Sequence, residues 1–225
     1  MAAHTDYLQY KADAIRIKSL EATTEAGSGH PTSCLSAAEI LSVLYFDQMI
    51  FDPKHPASYE GDDFVLSKGH AAPGLYAAMN EAGMISDEEL LSLRKFGSSF
   101  EGHPVPKVPS VRLATGSLGQ GLSGGIGLSL AMKADDIGRF VYVLLGDGEM
   151  MEGQIWEAMH LAADLKLGNI IAVVDMNRLG QSGPTVYGWE PQRYLDIAAA
   201  LDWHAAAVDG HNIDQLAGAL RIARE

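Results

Sequence analysis

Two short stretches of this chain place oxygen ligands at matching positions. Gly146-Asp147-Gly148-Glu149 follows the apolar run Phe140 to Leu145, and Asp175-Met176-Asn177 closes the apolar run Ile170 to Asp175. A carboxylate and an amide oxygen at two strand ends suit a divalent cation that carries a diphosphate. Magnesium takes few protein oxygens and completes a near-octahedral shell with phosphate and water. Gly146 and Gly148 leave the backbone bare where phosphates would pass. Asp and Asn also end strands for turn reasons alone, so it is the pair that points to a metal–diphosphate site.

The histidines form a second group. Of eight, four directly follow glycine: His30, His70, His103 and His211. His30, His70 and His103 fall in loops of the same half, where neutral imidazoles can exchange protons near pH 7. Their spacing matches no zinc motif. Gly119 to Gly124 reads G-x-G-x-x-G, but Pro104, Pro106 and Pro109 break any strand ahead of it, and no acid stands where a ribose would be read. The stretch is therefore not a nicotinamide site. A glycine-rich loop and helix start meeting a diphosphate remains open. Glu149, Glu152 and Glu157 stand near a helix start, where its dipole favours carboxylates.

The elements that must hold these residues alternate. Tyr7 to Ala26 reads as a helix with Tyr7, Tyr10, Ala14, Ile17 and Leu20 about one turn apart, stopped by Gly27. Ser36 to Glu39 matches a capping box opening the next helix. Residues 51–61 read as a loop. A short buried strand, 63–67, runs into Lys68-Gly69-His70 and a helix from Ala71 to Ala82. Residues 97–127 lack a regular pattern. Six glycines between Gly116 and Gly127 predict close backbone approach to a ligand or another helix. Strand 140–145, helix 152–165 and strand 169–175 make a right-handed βαβ unit. His204 to Val208 reads weakly as a strand and Asn212 to Arg224 as a helix. The fold class is α/β, a doubly wound and mostly parallel sheet with helices on both faces. Ligands of such sheets sit outside the carboxyl ends of strands.

Composition sets the outer limits. At 225 residues the chain forms one large domain, 1–225, with 47% hydrophobic and 20% charged residues. The net charge of -13 and the lack of a basic stripe exclude nucleic acid as a partner. An anionic ligand must then be held locally or by a metal. The single cysteine, Cys34, excludes an internal disulfide and a multi-cysteine zinc site, and reads as a buried thiol. No stretch has the ~20 apolar residues of a membrane span. The N-terminus lacks a leader pattern, so a cytoplasmic protein is expected.

Taken together, these stretches resemble the N-terminal, thiamine diphosphate-binding part of transketolases, with animal-type motifs. The resemblance rests on Ala26 to Ser33 (A-G-S-G-H-P-T-S), Leu66 to Pro73 (L-S-K-G-H-A-A-P) and Gly102 to Lys107 (G-H-P-V-P-K). It extends through Ala114 to Leu122 (A-T-G-S-L-G-Q-G-L), Leu145 to Glu149 (L-G-D-G-E) and Asn177 to Ser182 (N-R-L-G-Q-S). It implies thiamine diphosphate with Mg2+ or Ca2+, the metal held by Asp147, Asn177 and the carbonyl of Leu179. It puts Gly148 and Glu149 against the diphosphate, and Ser33, Lys68 and His70 near the diphosphate and thiazolium. Gly116, Ser117 and Leu118 would meet the aminopyrimidine. His30, His103 and Gln181, with His70, would serve the substrate, and Glu152 and Glu157 a subunit interface.

The implied reaction is transfer of a two-carbon ketol unit from a ketose to an aldose, on sugar phosphates. The family's activating glutamate lies on a pyrimidine-type domain, which has no counterpart here; the C-terminal domain, the phosphate-binding arginines and a last strand with an active-site histidine are also unmatched. The chain then reads as a split-enzyme subunit, a naturally short form or a fragment, and the expectation is the first, working with a partner chain that carries the pyrimidine domain, as a heterotetramer or a homodimer of halves. Rival readings are a 1-deoxyxylulose-phosphate synthase or dihydroxyacetone synthase type of enzyme, and a non-catalytic partner subunit.

Overall fold

The computed structural model of the protein describes residues 2–225. In chain order the helices and strands are α1 (Ala2–Ala26), α2 (Pro31–Ser36), α3 (Ala38–Val43), β1 (Asp63–Leu66), α4 (Ala72–Glu81), α5 (Asp87–Leu91) and α6 (Gln120–Ala134). They continue with β2 (Val141–Gly146), α7 (Gly153–Asp164), β3 (Ile170–Asp175), α8 (Pro191–Ala200) and α9 (Ile213–Ala223). The strands form a parallel sheet in the order β1-β2-β3. This is the expected α/β architecture, with β2 buried along its whole length.

Side-chain alternation sends the strands into two cores. Phe64, Leu66, Tyr142, Leu144 and Ile171 join α1, α3, α4 and α9 on one face. Val65, Val141, Val143, Leu145 and Ile170 join α6, α7 and α8 on the other. Helices on both faces explain why β1 and β2 read as unbroken apolar runs rather than as alternating ones.

The local departures from expectation have physical causes. The inner face of α1 is Leu8, Ala12, Ile15, Ser19 and Ala22, while Tyr7, Tyr10, Ile17 and Leu20 point outward. Both stripes have helical spacing. The one with small residues allows the close helix packing seen where the Ser42 hydroxyl donates to the Leu8 carbonyl at 2.6 Å. The capping box at Ser36 and Glu39 does not form. The helical run opens earlier, at Pro31, whose missing N–H costs nothing in a first turn. Ser36 and Glu39 bond elsewhere, and the reciprocal box occurs at Ser86 and Glu89.

The glycine-rich segment is in part a helix, since α6 starts at Gln120 after Gly119 at φ +89°. A Cβ on Gly125 would lie 2.6 Å from Val143 Cγ2, so this glycine seats α6 on the sheet, while one on Gly119 would lie 2.7 Å from Gln154 Cγ of α7. Residues 204–208 are exposed and outside any strand. A strand needs a ladder neighbour, and β3 is the last paired strand among the described residues. Cys34 is a buried thiol, as expected, and burial lifts its pKa to about 11.

Candidate active site

The ends of β2 and β3 lie side by side because Gly146 is in register with Asp175. One residue on, the Asp147 N–H donates to the Asp175 carbonyl at 3.1 Å. Asp147 is 1% exposed. Its Oδ1 accepts from the Gly148 N–H at 3.0 Å. Its Oδ2 accepts from the Arg178 N–H at 2.8 Å and the Thr185 hydroxyl at 2.7 Å. The loop after β3 folds back on itself, through a bridge between Leu179 and Pro184, to deliver Thr185. Asn177 Oδ1 accepts from the Leu179 N–H at 2.9 Å, and its Nδ2 donates to Asp175 Oδ2 at 3.3 Å. Leu179 is 69% exposed, and Gln181 is exposed on the same loop.

This arrangement fits a hard divalent cation. Asp147 is a buried carboxylate held only by N–H and O–H groups, and among the described residues no Lys, Arg or His pairs with it. No group of three or more His, Cys, Asp or Glu forms a metal cluster among the described residues. A cation here would therefore draw on amide, carbonyl and phosphate oxygens, the set magnesium and calcium prefer. Gly148 carries the same message. Its backbone is ordinary, at φ -64° and ψ -35°, and a Cβ there would meet nothing nearer than Thr185 Cγ2 at 3.6 Å. The protein's own packing therefore leaves room at that point, beside the Asp147 carboxylate.

Three of the four glycine-flanked histidines converge beside this edge. The His30 and His70 rings are 5.5 Å apart in an edge-to-face arrangement. Loop 115–116 lies directly on Gly69, where a Cβ would be 2.6 Å from the Gly116 nitrogen. The His103 ring covers Gly116 in turn, with Cδ2 2.7 Å from the place of a Cβ there. The glycines thus serve loop-on-loop contact as much as access to the rings. Burial, followed by the Lys68 charge and the neighbouring imidazoles, pulls the His70 pKa down to about 4. Burial and the Arg94 guanidinium lower that of His103 as well. Both are neutral at pH 7 and able to donate or accept a proton. His211 lies elsewhere, with Nδ1 3.0 Å from Glu39 Oε1.

Glu149 is 2% exposed. Its carboxylate accepts from the Ser67 hydroxyl at 2.5 Å, the Gly119 N–H at 2.8 Å and the Gly146 N–H at 3.1 Å. Burial raises its pKa, against the pull of those donors. The side chain is directed at protein groups and ties the 116–119 loop to the end of β2. In that loop Ser117 is exposed and Leu118 half-buried, the Leu118 carbonyl accepting from Gln154 Nε2 at 2.9 Å. Glu152 and Glu157 are exposed on the first turns of α7. Lys68 is buried, with Nζ 2.6 Å from Asp175 Oδ2 and 3.5 Å from the Ser33 carbonyl. Reading by motif missed Thr185, which carries no pattern, read Ser36 only as a helix cap, and treated Asp175 only as a strand end. A carboxylate two residues before Asn177 was the available signal.

Comparisons with known proteins bear on this geometry. Residues 8–225 match the family model described as transketolase, thiamine diphosphate binding domain. The human transketolase is 50% identical over 218 residues, which are 96% of this chain and 35% of that protein. The 6-deoxy-6-sulfo-D-fructose transketolase subunit SqwG of Clostridium sp. (strain MSTE9) is 39% identical over 220 residues, 96% of this chain and 79% of that subunit. The crystal structure of the Campylobacter jejuni transketolase superposes with a TM-score of 0.91 at 32% identity, over 97% of this chain and 35% of that one. The chain thus spans about a third of the length of the full-size transketolases it matches. With the glycine, histidine and carboxylate loops in place along nearly its whole length, the chain belongs to the transketolase family, as its thiamine diphosphate-binding domain.

Proposed function

We propose that this chain supplies the diphosphate- and metal-anchoring half of a ketol-transfer site, completed by a partner chain that carries a pyrimidine-type domain. Asp147, Asn177 and the Leu179 carbonyl would hold Mg2+ or Ca2+, with Gly148 and Ser33 beside the diphosphate. Gly116, Ser117 and Leu118 would face the aminopyrimidine ring. Bound thiamine diphosphate supplies the nucleophilic carbon and the electron sink for cleaving a ketose. This chain's own residues orient and protonate. Neutral His70 and His103, with His30, would move protons to and from substrate hydroxyls, and Gln181 would contact the substrate from the loop after β3.

The single observation that carries this reading is convergence. A buried carboxylate that lacks a cationic partner among the described residues and three histidine loops meet at one sheet edge. A non-catalytic scaffold has no need of neutral, partly buried imidazoles next to an anion-ready strand end. A relative of comparable length whose name describes a transketolase subunit supports the need for a partner. Exposed Glu152 and Glu157 would lie at that boundary.

The test combines this chain with a pyrimidine-domain partner and follows ketol transfer from a ketose phosphate to an aldose phosphate. Calorimetry of thiamine diphosphate with and without Mg2+ accompanies it. Metal-dependent binding together with turnover supports the reading, and metal-independent binding or none would overturn it.

A further inference from the structure

Lys68 is buried to 1% exposure, and its ammonium faces a carboxylate rather than an open cavity. Asp175 Oδ2 stands 2.6 Å from it. The same oxygen accepts from Asn177 Nδ2 at 3.3 Å, and Asp175 Oδ1 accepts from the Ser36 hydroxyl at 2.8 Å. Each oxygen of this 6% exposed side chain is therefore held, by groups from α2, the loop after β1 and the loop after β3. We propose that Asp175 is the positioning residue of the site, holding the Asn177 amide so that its oxygen, which accepts from the Leu179 N–H, keeps its second lone pair for the cation. On this view Lys68 acts through Asp175 as an internal counter-ion, and not on the diphosphate. The inference rests on the metal–diphosphate reading of Asp147 and Asn177.

The argument is one of donor direction. An Asn side chain has two ends, and only the oxygen can ligate a metal. Donation from Nδ2 to Asp175 selects the rotamer in which Oδ1 faces away, toward the Leu179 N–H. Metal ligands are commonly oriented by such outer partners, whose loss costs about 10- to 100-fold in metal affinity. The Lys68–Asp175 pair has its own logic. A lone carboxylate in this pocket would be desolvated without compensation, and the lysine lets it stay charged and accept strongly.

The experiment separates positioning from support of the fold. Mg2+ is titrated at saturating thiamine diphosphate into the chain together with its partner, and thermal unfolding is measured on metal-free protein. Asp175→Asn should weaken Mg2+ binding by about tenfold or more. The double variant Lys68→Met with Asp175→Leu removes both buried charges, so it should keep most of its thermal stability yet still bind Mg2+ weakly. Ser36→Ala removes one hold at a half-buried position and should weaken Mg2+ by a few-fold with little change in unfolding. Wild-type Mg2+ affinity in Ser36→Ala and in either folded Asp175 variant would overturn the inference. Failure of the wild-type protein to bind Mg2+ with thiamine diphosphate would instead overturn the underlying reading.

Discussion

Asp147, just past the end of β2, and Asp175, the last residue of the adjacent parallel β3, are joined by a 3.1 Å hydrogen bond from the Asp147 N–H to the Asp175 carbonyl, yet their carboxylates have opposite company. Asp175 is paired with the Lys68 ammonium. Asp147 has only N–H and hydroxyl donors. One acid is neutralised inside the protein, and the other, in the proposed reading, would take a cation from outside.

Asp147→Ala should abolish metal-dependent binding of thiamine diphosphate, a loss beyond the roughly 10- to 100-fold expected for an outer partner. Calorimetry checks this, and unchanged affinity would remove Asp147 from the metal site.

Gly148→Ala isolates the ligand's claim on that backbone. Its φ and ψ are helical, and a Cβ has room in the protein alone. Thermal unfolding without ligand should therefore stay within a degree or two of wild type, or rise slightly, while thiamine diphosphate binds more weakly. If binding holds and stability drops, the glycine serves packing.

His103→Ala should slow turnover by about 100-fold, the scale of a lost general acid or base. Cofactor affinity should move far less. Steady-state rates beside calorimetry give both quantities, and full activity would take His103 off the catalytic list.

The depressed pKa of His70 gives acid sensitivity a sign. Its ordinary value is 6.5 and its folded value about 4. As pH falls through that window the unfolded chain takes up the proton first, so stability is full above about 6.5 and is lost toward 4. Urea midpoints from pH 4 to 7 should fall less steeply in His70→Gln than in wild type. Parallel curves would show that the imidazole is not held neutral by the fold.

Glu149→Ala should destabilise the protein even though it removes a buried carboxylate. The N–H groups of Gly119 and Gly146 would be stranded, at about 1–3 kcal/mol each. Urea unfolding measures the loss, and loop 116–119 should become accessible to protease.

Much of this was legible before any coordinates. The apolar runs at 140–145 and 169–175 became β2 and β3 within a residue or so, because a strand covered on both faces must be apolar throughout. The placement of Asp147 and Asn177 at carboxyl ends followed from the same runs. The buried face of α1 was not legible because Tyr7, Tyr10, Ile17 and Leu20 share helical spacing with the smaller residues that pack inward. Period alone cannot choose between two stripes, whereas the depth of the groove against α3 and α4 can. Residues 204–208 carry strand-like apolar character but no ladder, since pairing depends on a neighbour that local sequence does not report.

The sequence by itself determined the fold class, the two strand-end oxygens and the family, because these depend on local pattern and on motif order. Only the tertiary structure decided which acid lacks a cationic partner among the described residues. Ser36 and Lys68 reach Asp175 from segments 139 and 107 residues away, and Thr185 reaches Asp147 across 38. Hydrogen bonds that close over such separations are products of the packed sheet and its loops, and no spacing rule along the chain encodes them.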